Sequence, residues 1–286
     1  MTDSLREKQS AALSSLLAAV GLTAFKMIVG LLTGSLGILA EAAHSGLDLV
    51  AAALTFLAVR FSGRPADRTH NYGHGKVENL SALAETLLLL ITCVWILMEA
   101  IHRLRFHREA IQVTVWSLAV MVTSIVIDVS RSRMLGRMAR KHRSQALEAD
   151  ALHFQTDVWS SAVVIAGLAG VKFGLWWADA VAAIGVSVVV VWVSVQLGRR
   201  TIDGLLDTAP AGMVEQIAAV VSAVPGVRDC HHVRLRYSGP MLFIDLHVLV
   251  DGKQTLLEAH TLTETIETAI REIAPQSDVT VHPEPF

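Results

Sequence analysis

Apolar runs of near-constant length recur through the first two thirds of the chain and then stop. They cover about residues 12–33, 36–60, 78–101, 111–129, 149–171 and 178–198. A bilayer core takes roughly 20 apolar residues in helical form, so the pattern predicts six transmembrane helices. Only Gly34-Ser35 separates the first two, which makes them a tight helical hairpin. After Asp207 the texture changes. An amphipathic helix is expected from Pro210 to about Val224, where Pro225-Gly226 ends it. Residues 227–237 and 241–250 alternate like strands around a Ser238-Gly239-Pro240 turn. A helix over 255–273 and a short strand over 279–282 complete an αββαβ order. The expected fold is therefore an α-helical polytopic membrane protein with a small α+β C-terminal domain, divided as 1–207 and 208–286. About 80 residues bury little core, so a second copy would help the smaller domain.

Composition agrees with the pattern. The chain has 286 residues, 52% hydrophobic and 17% charged, with mean hydropathy +0.49. Soluble domains carry about 25% charged residues. A net charge of −2 argues against a nucleic-acid partner. Cys93 and Cys230 are too few for a disulfide framework, and no C-x-x-C occurs. Met1 to Ser10 is polar and lacks the layout of a cleavable signal. Basic residues orient the bundle. Arg131, Arg133, Arg137, Arg140, Lys141 and Arg143 follow the fourth run. Arg60, Arg64, Arg68 and Lys76 surround the link after the second, and Arg199 and Arg200 follow the sixth. The link after the first run has no charge, and that after the fifth has Lys172 and Asp179. Arg103, Arg105 and Arg108 run against the trend. The positive-inside rule then puts both termini in the cytoplasm, and the expected location is the inner (plasma) membrane.

Ionisable groups inside apolar runs carry the chemistry. His153 and Asp157 stand four apart and so share a helix face. His44 and Asp48 repeat the arrangement in another run. One such pair is either a hydrogen-bonded helix contact or part of an ion path. Two pairs together offer two nitrogens and two oxygens, which suits tetrahedral zinc. Lys26, Glu41 and Glu85 also fall within runs, and mutual pairing or snorkelling is expected of them. Asp67-x-x-His70-x-x-x-His74 places three candidate ligands in the short link after the second run. The tail holds His231, His232, His247, His260, His282 and Glu284, and Phe243, Asp245 and His247 share one face of a strand by the period of two.

These pieces together resemble the cation diffusion facilitators over nearly the whole chain. The matching stretches are Gly34-Ser35-Leu36 leading to His44-Ser45-Gly46-Leu47-Asp48, His70-Asn71-Tyr72-Gly73-His74-Gly75-Lys76-Val77-Glu78, and Ala149-Asp150-Ala151-Leu152-His153 through Asp157. In the tail they are Asp245-Leu246-His247, Glu258-Ala259-His260 and Val281-His282-Pro283-Glu284-Pro285. The resemblance implies six transmembrane helices, a metallochaperone-like cytoplasmic domain, and a homodimer that exports divalent metal in exchange for protons. It implies a transport site at His44, Asp48, His153 and Asp157, a loop site at Asp67, His70 and His74, and a regulatory site at His231, His247, His260, His282 and Glu284. Family members often carry Asp where this chain has Glu284, and His232 has no clear counterpart. Lys76 and Asp207 match an interlock between the third span and the tail.

The expected function is proton-coupled export of Zn²⁺, with Cd²⁺, Co²⁺ and Fe²⁺ as other cargoes. Zinc would be both transported substrate and regulatory ligand. The expected partners are divalent metal ions, protons, the lipid bilayer and a second copy. An intramembrane zinc hydrolase is the rival, but four ligands leave no open position and no H-E-x-x-H supplies a base. A membrane-anchored metal sensor is the third reading. No G-x-x-x-x-G-K-[ST] phosphate loop occurs, in keeping with an ion gradient as the energy source.

Overall fold

A computed structural model describes residues 3–34, 36–106, 115–172 and 178–286. Among these, six long helices come first: α1 (Asp3–Thr33), α2 (Leu36–Ser62), α3 (Val77–Phe106), α4 (Val115–His142), α5 (Gln145–Lys172) and α6 (Ala178–Leu205). Four of them, α1, α2, α3 and α6, are long and apolar enough to cross a membrane by length and composition. That count covers the described residues alone; α4 closes on Arg140, Lys141 and His142, and α5 carries Glu148, Asp150, His153 and Asp157 in its first half. Ser35, residues 111–114 of the fourth run and Arg108 lie outside the described residues. So does 173–177, the core of the link expected after the fifth run.

The chain forms two compact units, one of Met1–Arg64 with Val77–Thr201 and one of Pro65–Lys76 with Ile202–Phe286. The first unit is arranged inside out. Leu17, Ile28, Leu32, Ile91, Trp95 and Trp192 are exposed, whereas Lys8, Lys26, Asp48, Glu78, Glu85, Asp150 and His153 are buried. Water would reverse that order, and a hydrocarbon surround explains it. A small-residue core (Ala12, Ala58, Ala139, Ala146, Ala151) closes on Leu135, Leu147 and Phe154. Lys26 bonds the Ser45 hydroxyl at 2.7 Å and pairs with Glu41 at 3.3 Å. Glu85 meets no cation among the described residues and accepts from the hydroxyls of Thr55 and Ser81. Gly34 has φ 64° just past the end of α1, the left-handed turn that ends a helix.

One expectation needs correction. The basic residues read as a link after the fourth run lie mostly within α4, which continues to His142. Arg, Lys, Met, Leu and Ala are all strong helix formers, so the helix outlasts its apolar part. Arg131 is even buried, bonding Ser15 Oγ at 2.8 Å with its guanidinium 3.4 Å from the Phe154 ring centre. Arg199 and Arg200 likewise fall inside α6.

In the second unit, α7 (Met213–Ser222), β1 (Asp229–Ser238), β2 (Met241–Val250), α8 (Leu256–Ile273) and β3 (Ser277–Pro285) follow in order. The sheet runs β1-β2-β3, with β1 antiparallel and β3 parallel to β2. The parallel pair needs a crossover, and α8 supplies it. Thr255 and Glu258 form a capping box that starts α8. Leu242, Ile244, Leu246, Val248 and Val250 alternate into a core with Ile217, Val221, Ile266 and Ile270. Burying each such side chain stabilises by roughly 1.5–3 kcal/mol. The alternation leaves Phe243, Asp245 and His247 on the opposite face.

Candidate metal centres

Helices α2 and α5 carry the quartet. His153 Nε2 lies 3.0 Å from Asp48 Oδ1 and 3.8 Å from Asp157 Oδ2. His44 Nε2 lies 3.7 Å from Asp157 Oδ1 and 4.0 Å from Asp48 Oδ1. All four groups therefore converge, each imidazole reaching both carboxylates. Within the set, donor atoms of His44, Asp48 and Asp157 lie within 4.8 Å of one another. Asp157 Oδ2 is buried without a hydrogen-bond partner. A buried carboxylate oxygen left bare is costly, and a cation at the centre of the quartet would satisfy it.

The loop site lies in the second unit. Asp67 Oδ1 accepts from the backbone N–H groups of His70 at 2.7 Å and Thr69 at 2.8 Å, and from the Thr69 hydroxyl at 2.9 Å. These bonds, led by that of His70, hold the Asp67 carboxyl well below the usual carboxylate range. Its other oxygen faces His74 Nε2 at 3.4 Å. The rings of His70 and His74 are 4.4 Å apart. Donor atoms of all three residues fall within 4.8 Å of one another. Two residues on, Lys76 Nζ donates to Asp207 Oδ1 at 2.7 Å and to the Leu205 carbonyl at 3.3 Å.

In the tail, sheet register does the positioning. His231 pairs with His247 and His247 with His282, so three histidines form a row across the three strands. Glu284, two residues beyond His282 on the same face, lies 2.9 Å from His247 Nδ1 and 3.2 Å from His231 Nε2. The His247 contact is the main cause that lowers the Glu284 carboxyl below its ordinary range. His247, His282 and Glu284 form one group of donors within 4.8 Å, and His231, His232 and His247 form another. His260 stands apart on α8, 3.5 Å from Glu264. His232 joins the cluster although no residue spacing marks it.

Comparison with known proteins settles the family. The profile described as the cation efflux transmembrane domain matches residues 12–206, and that of the cation efflux protein, cytoplasmic domain, matches 209–286. This chain belongs to the cation diffusion facilitators. It is 36% identical to the cation-efflux pump FieF of Cronobacter sakazakii, over 96% of this chain and 92% of that one. The FieF pump of Serratia proteamaculans is 34% identical over 97% and 92%. Among solved structures, the metal-bound C-terminal domain of the CzcD transporter from Thermotoga maritima is 38% identical, covering 26% of this chain and 86% of that one, with a TM-score of 0.25. As a cation diffusion facilitator the chain is a multi-pass membrane transporter of divalent metal cations rather than an enzyme. That sets aside the intramembrane hydrolase. The family's dimerisation domain supports a homodimer.

Proposed function

We propose that the protein exports Zn²⁺ from the cytoplasm in exchange for protons. The reading takes six membrane spans within 1–207, a cytoplasmic domain at 208–286, and both termini in the cytoplasm of a cell whose inner (plasma) membrane holds the bundle. The observation that carries it is the convergence of His44, Asp48, His153 and Asp157 from two helices. Two nitrogens and two carboxylate oxygens suit a tetrahedral zinc ion. Magnesium and manganese favour more oxygens in octahedral array.

Proton coupling follows from the donors. A ring nitrogen that carries a proton cannot coordinate metal, so protons and zinc compete for His44 and His153. Without metal, a protonated imidazole is held by the same two carboxylates that face it now. Either cargo thus neutralises the carboxylates, and an empty, doubly charged site is disfavoured inside a membrane. Rocking of the bundle then exchanges one cargo for the other across the membrane.

The loop residues Asp67, His70 and His74 would bind metal from the cytoplasm. In the tail, His231, His247, His282 and Glu284 would hold a regulatory zinc that ties the three strands together. His260 can join that set only if a second copy supplies it. Lys76 and Asp207 would act as the interlock. The test is zinc uptake into proteoliposomes under an imposed pH gradient. Uptake should rise when the interior is acid and fall when a protonophore collapses the gradient. Uptake indifferent to the gradient would remove proton coupling from the account.

A further inference from the structure

Strand alternation should send His231 and His232 to opposite faces of β1. The structure does otherwise. His231 pairs with His247 but Arg234 pairs with Asp245, so His232 and Val233 together oppose the single residue Leu246. Two residues against one is a β-bulge, a device that re-aims side chains. Cys230 and Val233 both pack against the core. That leaves His231 and His232 as consecutive residues on the other face. His232 takes φ 51° to do so, a left-handed conformation uncommon for residues with a side chain, though less so for His.

The bulge brings the His232 ring centre to 5.1 Å from that of His231 and 5.1 Å from that of His247. One ring nitrogen from each of the three lies within 4.8 Å of the others. Glu284 reaches both flanking rings, with Oε2 at 3.2 Å from His231 Nε2 and Oε1 at 2.9 Å from His247 Nδ1. His232 itself is exposed, so its ring is not held there by burial in the core.

We propose that His232 is a metal ligand, and that His231, His232, His247 and Glu284 close a three-imidazole, one-carboxylate site within a single chain. This rests on the reading that the tail binds metal, and puts His232 in the place that reading gives to His282. Four donors fill the shell of a structural zinc site. An imidazole-rich set suits zinc, nickel and copper over magnesium, calcium or manganese. The site needs neither His260 nor a second copy.

The test uses the full-length protein in detergent with zinc as the probe. Asp157→Ala and His70→Ala are introduced first, to weaken the quartet and the loop. On that background, His232→Asn keeps a residue at ease with left-handed backbone. Zinc affinity at the tail should then fall about 10- to 100-fold, the loss that even outer-shell partners of a metal ligand produce. X-ray absorption should count three imidazoles on the zinc with His232 present and two without it. His247→Ala should abolish the site. Should His232→Asn leave affinity and imidazole count unchanged while His247→Ala removes binding, the tail site stands and the role of His232 falls. If His247→Ala also keeps the zinc, the tail reading itself falls, and this proposal with it. Two imidazoles on the zinc in the chain that retains His232 would overturn the proposal without any variant at that position.

Discussion

Asp157 Oδ2, buried without a hydrogen-bond partner and 3.8 Å from His153 Nε2, is the atom on which the proposed transport site turns. Asp157→Ala removes a donor and little packing. Zinc uptake should drop at least about 100-fold, beyond the usual loss for an outer-shell change, while circular dichroism keeps the helical signal. His44 is the partner through which selectivity can be tuned. His44→Asp makes the site richer in oxygen and more anionic, with less demand for a small tetrahedral ion. Competitive uptake should show a higher cadmium-to-zinc ratio in the variant, and an equal ratio would move selectivity to groups around the quartet. These four residues were legible because the i, i+4 spacing occurs twice and because charge inside an apolar run needs a reason. His232 was legible as one of the tail histidines, but not as a neighbour of His231 on the same face. A bulge is a two-for-one slip between strands, and alternation along one strand cannot reveal it.

Among the elements, the link Pro65–Lys76 shows most clearly how local fit can matter more than charge. Its Lys76–Asp207 pair is well formed at 2.7 Å but partly exposed, and exposed pairs contribute about 0–1 kcal/mol. Gly75 is the stricter constraint. A Cβ there would sit 2.5 Å from the backbone carbon and oxygen of Ser238 and 2.6 Å from the Gly239 nitrogen. Backbone cannot swing aside as a side chain can. Tyr72 adds to the contact, with the Arg236 guanidinium 3.8 Å from its ring centre and Phe243 edge-on at 5.1 Å. Gly75→Ala should free the link from the β1–β2 turn, seen as faster amide exchange over Pro65–Lys76 with the strand core still protected. Protection equal to the wild type would show that the turn yields. Ser238-Gly239-Pro240 was readable as a turn, but its role as the seat for a distant glycine was not, since contacts across that sequence distance leave no periodic mark.

Strand β3 carries a pH-dependent contribution of its own. Glu284 accepts from His247, and its pKa is lowered from the ordinary 4.5. A lowered folded value means the contribution is present above 4.5 and is lost as pH falls through the shifted value. In metal-free protein, amide exchange in β3 should therefore be slower in wild type than in Glu284→Gln at neutral pH. The two should converge in acid below 4.5. A difference that grows on acidification would contradict the assigned bond.

At the scale of the whole molecule, the apolar runs made the membrane character plain, and the buried polar interior of the first unit answers to it. Helix lengths were less readable. Arg131 through Lys141 read as a link because charge ends the apolar run there, whereas helix propensity carries α4 on to His142. His260 marks a different limit, since among the described residues it meets Glu264 on its own helix and no member of the tail cluster. Proton exchange requires the quartet to move zinc one way and protons the other. It is tested most directly by adding zinc outside reconstituted vesicles that trap a pH-sensitive dye, with no gradient imposed at the start. Zinc entry should drive protons out and make the interior alkaline, and Asp157→Ala should abolish both signals together. Zinc entry with no change in internal pH, or proton movement that survives Asp157→Ala, would contradict it.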